Sequence, residues 1–172
     1  MALKIDALIR ADSELTHQQT SSVPIILSTR IRLARNLEGH HFPNHSDDGD
    51  RIRVLETCRE ALESAEGMDN SSSLQMRELS EMERRILVER HLVSRELIES
   101  ESGAGVVING DQSCAVMINE EDHLRLQSML AGFHLDKVWS IINTLDNSLE
   151  ETLDFAYSEE LGFLTACPSN VG

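Results

Sequence analysis

The stretch Asn119-Glu120-Glu121-Asp122-His123-Leu124-Arg125 packs three acids, an imidazole and a guanidinium into seven residues, and its reading decides how the rest of the chain is arranged. Upstream, Ser113-Cys114-Ala115-Val116-Met117-Ile118 is a short apolar run with the length of a buried strand. Downstream, Leu124, Leu126, Met129 and Leu130 recur at helical spacing. The pattern predicts a strand-to-helix junction, with Asn119 as N-cap and Glu120, Glu121 and Asp122 in a first helical turn, where the helix dipole favours negative charge. An acidic capped helix start needs no further role, since ordinary helices begin this way. Its density of ionisable groups nevertheless makes it the stretch best equipped for chemistry.

The whole chain bounds what that chemistry can be. At 172 residues it is long enough for one domain with a proper core. A net charge of −15 argues against a nucleic-acid backbone or an anionic membrane as partner, because both require clustered Lys and Arg. A basic protein or a guanidinium substrate fits better. No apolar run approaches the roughly 18 residues of a membrane span, and Met1 to Arg10 has neither an apolar signal core nor a cleavage site, so a cytoplasmic protein is expected. Cys58, Cys114 and Cys167 include no closely spaced pair, which argues against a disulfide framework and against a thiolate metal site. His40, His41 and His45 lie close together but lack ligand spacing on a helix or strand, and no metal site is expected there.

Working outward, residues 1–22 begin with a short helical pattern of Leu3, Ile5, Leu8 and Ile9, pass into a polar tract, and read as an extension. In Val23-Pro24-Ile25-Ile26-Leu27-Ser28-Thr29-Arg30-Ile31-Arg32-Leu33-Ala34-Arg35-Asn36, a strand period of two puts Leu27, Thr29, Ile31 and Leu33 on one face and Ser28, Arg30 and Arg32 on the other. Arg30 and Arg32 would then stand about 7 Å apart on one side, a spacing at which both can hold one polyphosphate. A charged solvent face on an edge strand explains the same pattern. Ile52, Leu55, Cys58, Leu62 and Ala65 trace a packing helix that stops at Gly67. Leu74 to Leu79 reads as a short strand, and Ser80 with Glu83 as a capping box opening another helix. His91, near that helix's end, is by itself a cap or surface residue. Ala104 to Asn109 and Ser113 to Ile118 form a predicted β-hairpin, and a long amphipathic helix begins near His134. Gly162 starts a brief strand, with Cys167 at its end before a proline turn; an isolated cysteine of this kind is usually a buried inert thiol.

Four separated segments resemble the ATP:guanido phosphotransferases, the family of phosphagen kinases and bacterial protein-arginine kinases. Asn119 to Arg125 is similar to its Asn-Glu-Glu-Asp-His-Leu/Ile-Arg signature, Ser28-Thr29-Arg30-Ile31-Arg32 to its first nucleotide-binding motif, Glu83 to Ser94 to the matching passage of protein-arginine kinases, and Gly162 to Asn170 to its Gly-Tyr/Phe-Leu-Thr and Cys-Pro-Thr/Ser-Asn signatures, with Phe163 for tyrosine and Ser169 for threonine. The short segment before the Ser-Thr-Arg motif, with the passage around His91, points to the protein-arginine kinase branch.

The resemblance implies an α+β fold, an antiparallel sheet flanked by helices, with residues 23–172 forming an incomplete catalytic domain after the 1–22 extension. It implies transfer of the ATP γ-phosphoryl group to arginine side chains of proteins, with Mg²⁺ held through the nucleotide phosphates. Arg30, Arg32 and Arg125 would clamp phosphate, within a binding segment that includes Ser28, Thr29 and Ile31, and His91 would contact the nucleotide. Glu121 would orient the substrate guanidinium and accept its proton, Glu120 is its weaker alternative, and Cys167 would act on the guanidinium as a thiolate. Protein substrates with exposed arginine, a Clp protease system, a kinase activator and a homodimer are the partners implied. Family members continue past Gly172 with a further phosphate-binding arginine and an Arg-Gly-x-x-Gly-Glu loop, so the chain is expected to be a fragment, inactive alone. A non-catalytic adaptor derived from the kinase fold, or a phosphagen kinase acting on a free guanidino compound such as arginine, are the competing readings.

Overall fold

In a computed structural model that describes residues 25–100 and 102–170, β-pairing continues through the charged heptad and does not give way to a helix. Strands β1 (Ser28–Arg35), β2 (Ser72–Gln75), β3 (Gly105–Ile108), β4 (Cys114–Ile118) and β5 (Leu124–Ala131) form one antiparallel sheet in the order β1-β5-β4-β3-β2. β5 is paired along both edges. Leu126 stands opposite Leu33 on one side and Val116 on the other. This overturns the helix expected after Asn119. β5 is largely buried on both faces, so Leu124, Leu126 and Leu130 on one face and Met129 on the other produce spacings that imitate a helical stripe. Leu74 to Leu79 is also corrected: the strand ends at Gln75, and Met76–Glu78 forms a single 3₁₀ turn.

Helices α1 (Asp48–Ser64), α2 (Glu81–Glu89), α3 (Arg95–Ile98) and α4 (Leu135–Glu150) cover the sheet unequally. On one face, Val54, Leu55, Cys58 and Leu62 of α1 and Ile142, Leu145 and Leu149 of α4 pack with Val107, Val116, Ile118, Leu124 and Leu126. Burial pushes the Cys58 and Cys114 thiols up to about 12, so both are inert core groups. On the opposite face, Leu87 of α2 and Leu97 of α3 pack with Leu74, Val106, Ile108, Ala115 and Met117. Ser80 caps α2 through the predicted capping box with Glu83. That second cover reaches only β2, β3 and β4. Beyond it, β5 and β1 carry Arg125, Gln127, Arg30 and Arg32 on the same face.

The core face is continuous across β1, β5 and β4, and truncation inside it should be felt by the whole sheet. Leu126→Ala is expected to cost about 3 kcal/mol by cavity formation at this fully buried position, read as a lowered midpoint in urea unfolding with an unchanged slope.

After α4 the chain forms a two-strand hairpin, β6 (Tyr157–Ser158) and β7 (Gly162–Phe163), and then returns to the heptad. The helical pattern of Leu3, Ile5, Leu8 and Ile9 lies outside the described residues. No described helix is long and apolar enough to cross a membrane.

Candidate functional site

The heptad is the five-residue loop 119–123 of the β4–β5 hairpin plus the first two residues of β5. Asn119 adopts a left-handed backbone, φ 56°, and its N–H donates to the His123 carbonyl at 3.0 Å, closing the loop. Its side chain is not a helix cap. It donates to the carbonyls of Arg51 at 2.8 Å and Gly103 at 2.7 Å, fastening the loop to α1 and to the segment entering β3. Gly103 is required at this junction: its φ is +65°, and a Cβ there would fall 2.6 Å from the Arg51 Cβ.

The seven residues divide by direction. Asp122 and His123 turn inward and are 1% and 0% exposed. Asp122 Oδ1 accepts from Asn36 Nδ2 at 2.7 Å and from the Ala166 N–H at 2.6 Å. His123 Nδ1 accepts from the Leu37 N–H at 3.0 Å, which leaves Nε2–H to donate to the His41 carbonyl at 2.9 Å. The neutral Nε2–H tautomer therefore satisfies both partners, and a second proton would meet the Leu37 donor. Burial lowers the His123 pKa, and the charge of His40 adds to that, against the His41 carbonyl, Asp50 and Asp122, which oppose it.

The sign of the resulting pH dependence is fixed. A histidine whose folded pKa lies below its unfolded value of about 6.5 contributes its full stability above that value and loses it as pH falls through the lowered folded pKa. Stability of the wild-type chain should fall on acidification from pH 7 with a slope of up to about 1.4 kcal/mol per pH unit from this group. His123→Gln should remove that part of the slope in thermal melts taken from pH 7.5 to 5.

Glu120, Glu121 and Arg125 turn to the open side. Arg125 Nη1 donates to Glu120 Oε2 at 2.7 Å, and Nη2 lies 3.8 Å from Glu121 Oε2. The two acids differ in access: the Glu120 side chain is 4% exposed and that of Glu121 39%. Glu120 is committed to Arg125, whereas Glu121 faces solvent within a cleft of about 680 Å³ lined also by Arg32, Arg51, Glu96 and Glu99.

Across the sheet, Arg125 pairs with Ala34, Gln127 with Arg32 and Met129 with Arg30, so the three arginines share one half-face. Their crowding bears on Arg32. Its pKa is lowered by burial and then by the positive charges of Arg30 and Arg125, with Glu120 opposing. Three guanidiniums on one half-face repel one another, Glu120 offsets part of that repulsion, and a polyphosphate would relieve the rest with matching donor geometry.

Gln127 Nε2 donates to the His91 carbonyl at 2.7 Å, which ties the turn after α2 to this half-face. His91 itself has φ 58° and closes the end of α2 with its N–H on the Val88 carbonyl. Ser28 lies on the arginine side. Thr29 and Ile31 point to the opposite face, where the Thr29 hydroxyl donates to the Gly132 carbonyl at 2.7 Å and accepts from the His134 N–H at 2.9 Å, and Ile31 packs on the core. Cys167 is partly exposed, with Sγ 2.9 Å from Ser169 Oγ. Ser169 and Asn170 join Arg32 and Arg125 around a smaller cleft of about 210 Å³, so the Cys167 loop borders the arginine half-face.

Sequence reasoning missed Asn36, Asp122, His123 and Gln127 as builders of this site, and took Arg35 only as part of the β1 run. Arg35 is buried on Asp146 at 2.6 Å and against the Phe163 ring at 3.8 Å. The available signal was a polar residue at an otherwise buried strand end or hairpin loop, or for Gln127 within a buried strand, which demands a partner.

An α+β sheet that presents three arginines on one half-face beside two carboxylates has the donor geometry to hold a multivalent anion. The sequence model of the ATP:guanido phosphotransferase C-terminal catalytic domain matches residues 53–172, and the chain belongs to that family. It is 42% identical over 151 residues to a protein-arginine kinase of Desulforamulus reducens, covering 86% of this chain and 42% of that protein. It is 44% identical over 148 residues to a protein-arginine kinase of Halothermothrix orenii, with the same coverage. The chain thus spans less than half the length of these curated relatives. Among solved structures it is similar to the substrate-free duplicated taurocyamine kinase of Schistosoma mansoni, with a TM-score of 0.81 and 30% identity over 94% of this chain and 25% of that one. A crystal structure of lombricine kinase, at 22% identity and a TM-score of 0.74, shares the fold.

Proposed function

We propose that this chain supplies the first half of a protein-arginine kinase site, transferring the ATP γ-phosphoryl group to a guanidinium nitrogen of arginine in proteins. The observation that carries the reading is the arginine half-face meeting a solvent-facing carboxylate at Arg125. Arg30, Arg32 and Arg125 bind the phosphates and neutralise charge that spreads over the transferred group. ATP is the donor, and Mg²⁺ bound through its phosphates supplies further charge neutralisation; the described residues offer no cluster of three metal-ligating side chains for it. Ser28 belongs to the phosphate segment, and His91 sits where its turn closes one side of the nucleotide.

Glu121 orients the incoming guanidinium and accepts its proton. A protonated guanidinium has no free lone pair and an ordinary pKa above 12, so attack requires that proton to leave as the N–P bond forms. Glu120 holds Arg125 in place, and Cys167 faces the guanidinium from the opposite loop. The likeness to protein-arginine kinases supports protein substrates with exposed arginine, and the proposal extends to the cytoplasm as compartment, an activator, a Clp-type protease system downstream and a homodimer. Residues 23–172 are an incomplete catalytic domain, preceded by the 1–22 extension.

The reading is tested in a chimera in which residues 23–172 replace the matching portion of the Desulforamulus reducens protein-arginine kinase. ADP release is followed with Mg-ATP and either a casein-like acceptor or free arginine. Release that requires the protein acceptor is the expected result. Release with free arginine alone would move the chain to the phosphagen kinases, and saturable nucleotide binding without release would make it a non-catalytic adaptor.

A further inference from the structure

Asp122 is the one acid of the heptad that does not face the cleft, and its partners all lie on other segments. Its Oδ1 accepts from Asn36 Nδ2, just past β1, and from the Ala166 N–H, one residue before Cys167. Its Oδ2 is 3.5 Å from Asn170 Nδ2, three residues after Cys167. Asn36, 1% exposed, completes the knot: its Oδ1 accepts from the His123 N–H at 2.9 Å, and its Nδ2 also donates to the Leu164 carbonyl at 3.0 Å. The segment Leu164 to Asn170 is thus gripped on both sides of the thiol.

Little else described holds that segment. The Leu164 N–H donates to the Ala156 carbonyl, and the bonds that link Thr165, Ser169 and Asn170 to Cys167 are internal to it. From this geometry we infer that the buried Asn36–Asp122 pair is the positioning device of the Cys167 loop, registering it against the hairpin loop that carries Glu121. One carboxylate sets the relative placement of two walls that the sequence separates by more than forty residues. Asp122 acts through Cys167 and Glu121 and does not touch substrate. The inference rests on the proposed function only in treating Cys167 and Glu121 as parts of one site.

Hydrogen exchange by mass spectrometry on the 172-residue chain tests the grip directly, since the Ala166 amide points at the Asp122 carboxylate. In Asp122→Ala, exchange at 164–170 should accelerate at least about tenfold, the effect of losing a charge-assisted hydrogen bond, while amides of β4 and β5 keep wild-type protection. Asp122→Asn retains an acceptor oxygen and should restore most of the protection, and Asn36→Ala should reproduce the loss. Unchanged exchange at 164–170 in Asp122→Ala overturns the inference. So does acceleration spread equally over β4 and β5, which would make Asp122 a general fold stabiliser. In the chimera, Asp122→Ala should lower kcat at least about tenfold with KM for ATP within about twofold, because Arg30 and Arg32 are held by β1–β5 pairing. A raised KM for ATP with unchanged kcat also overturns it. A wild-type chimera without activity sinks the proposed function, and the exchange result still decides the inference.

Discussion

Glu121→Ala in the chimera is expected to reduce phosphoarginine formation by about a thousandfold, within the usual range for removing a positioned general base. The size of the effect follows from the substrate. Few nucleophiles begin as cations with a pKa above 12, and of the two carboxylates beside Arg125 that line the cleft, only Glu121 is open to solvent and not already committed to that arginine. Nucleotide affinity should change little, because Glu121 is 3.8 Å from Arg125 and the closer pairing belongs to Glu120. Glu120→Ala should behave differently. It frees Arg125 from its 2.7 Å partner, so the loss should be smaller in kcat and visible in nucleotide binding. Steady-state kinetics with ATP and acceptor varied separately distinguish the two.

Arg32→Ala is expected to weaken Mg-ATP binding to the 172-residue chain by about ten- to a hundredfold, the range for one hydrogen-bonded charge contact. Arg32 lies between Arg30 along the strand and Arg125 across it, and its own charge is disfavoured by both. The same repulsion predicts the stability response. Without ligand, Arg32→Ala should be neutral or slightly stabilising, and the wild type should gain more thermal stability from Mg-ATP than the variant does. Titration calorimetry gives the affinity and a pair of melts gives the linkage. Arg32→Lys should recover only part of the affinity, since a point charge cannot reproduce a planar fork on phosphate oxygens.

How much of this was legible in the sequence depends on whether an element announced itself with one buried face or two. β1 did: Thr29, Ile31 and Leu33 alternate with Arg30 and Arg32, and the structure places them on opposite faces as the period of two requires. α1, α4 and the capped α2 were equally readable from amphipathic spacing and cap residues. β5 was not. Covered on one face by α1 and α4 and closed on both edges by β1 and β4, it buries Leu126 and Met129 alike, and its apolar residues lost the alternation that would have identified it. The error propagated to Asn119, which has the chemistry of an N-cap but uses its amide on two carbonyls of neighbouring segments.

The site was legible in its charges and illegible in its supports. Arg30, Arg32, Glu120, Glu121 and Arg125 stand out by type and spacing, and four motifs resembling one family tied them together. Asn36 and Gln127 do not stand out: each is a single amide whose meaning lies in partners 86 and 36 residues away. Asp122 and His123 were visible, but only the structure separates them from their neighbours by turning them inward.

In the proposed function the two walls meeting at Arg125 act on one reaction, phosphate on the arginine side and guanidinium on the Glu121 side. Tandem mass spectrometry of the acceptor after reaction with the chimera, under conditions that preserve acid-labile N–P bonds, tests it most directly. Phosphate on arginine side chains is expected, lost in Glu121→Ala and strongly reduced in Arg32→Ala at subsaturating ATP. Phosphate confined to serine, threonine or tyrosine, or arginine phosphorylation indifferent to both substitutions, would contradict it.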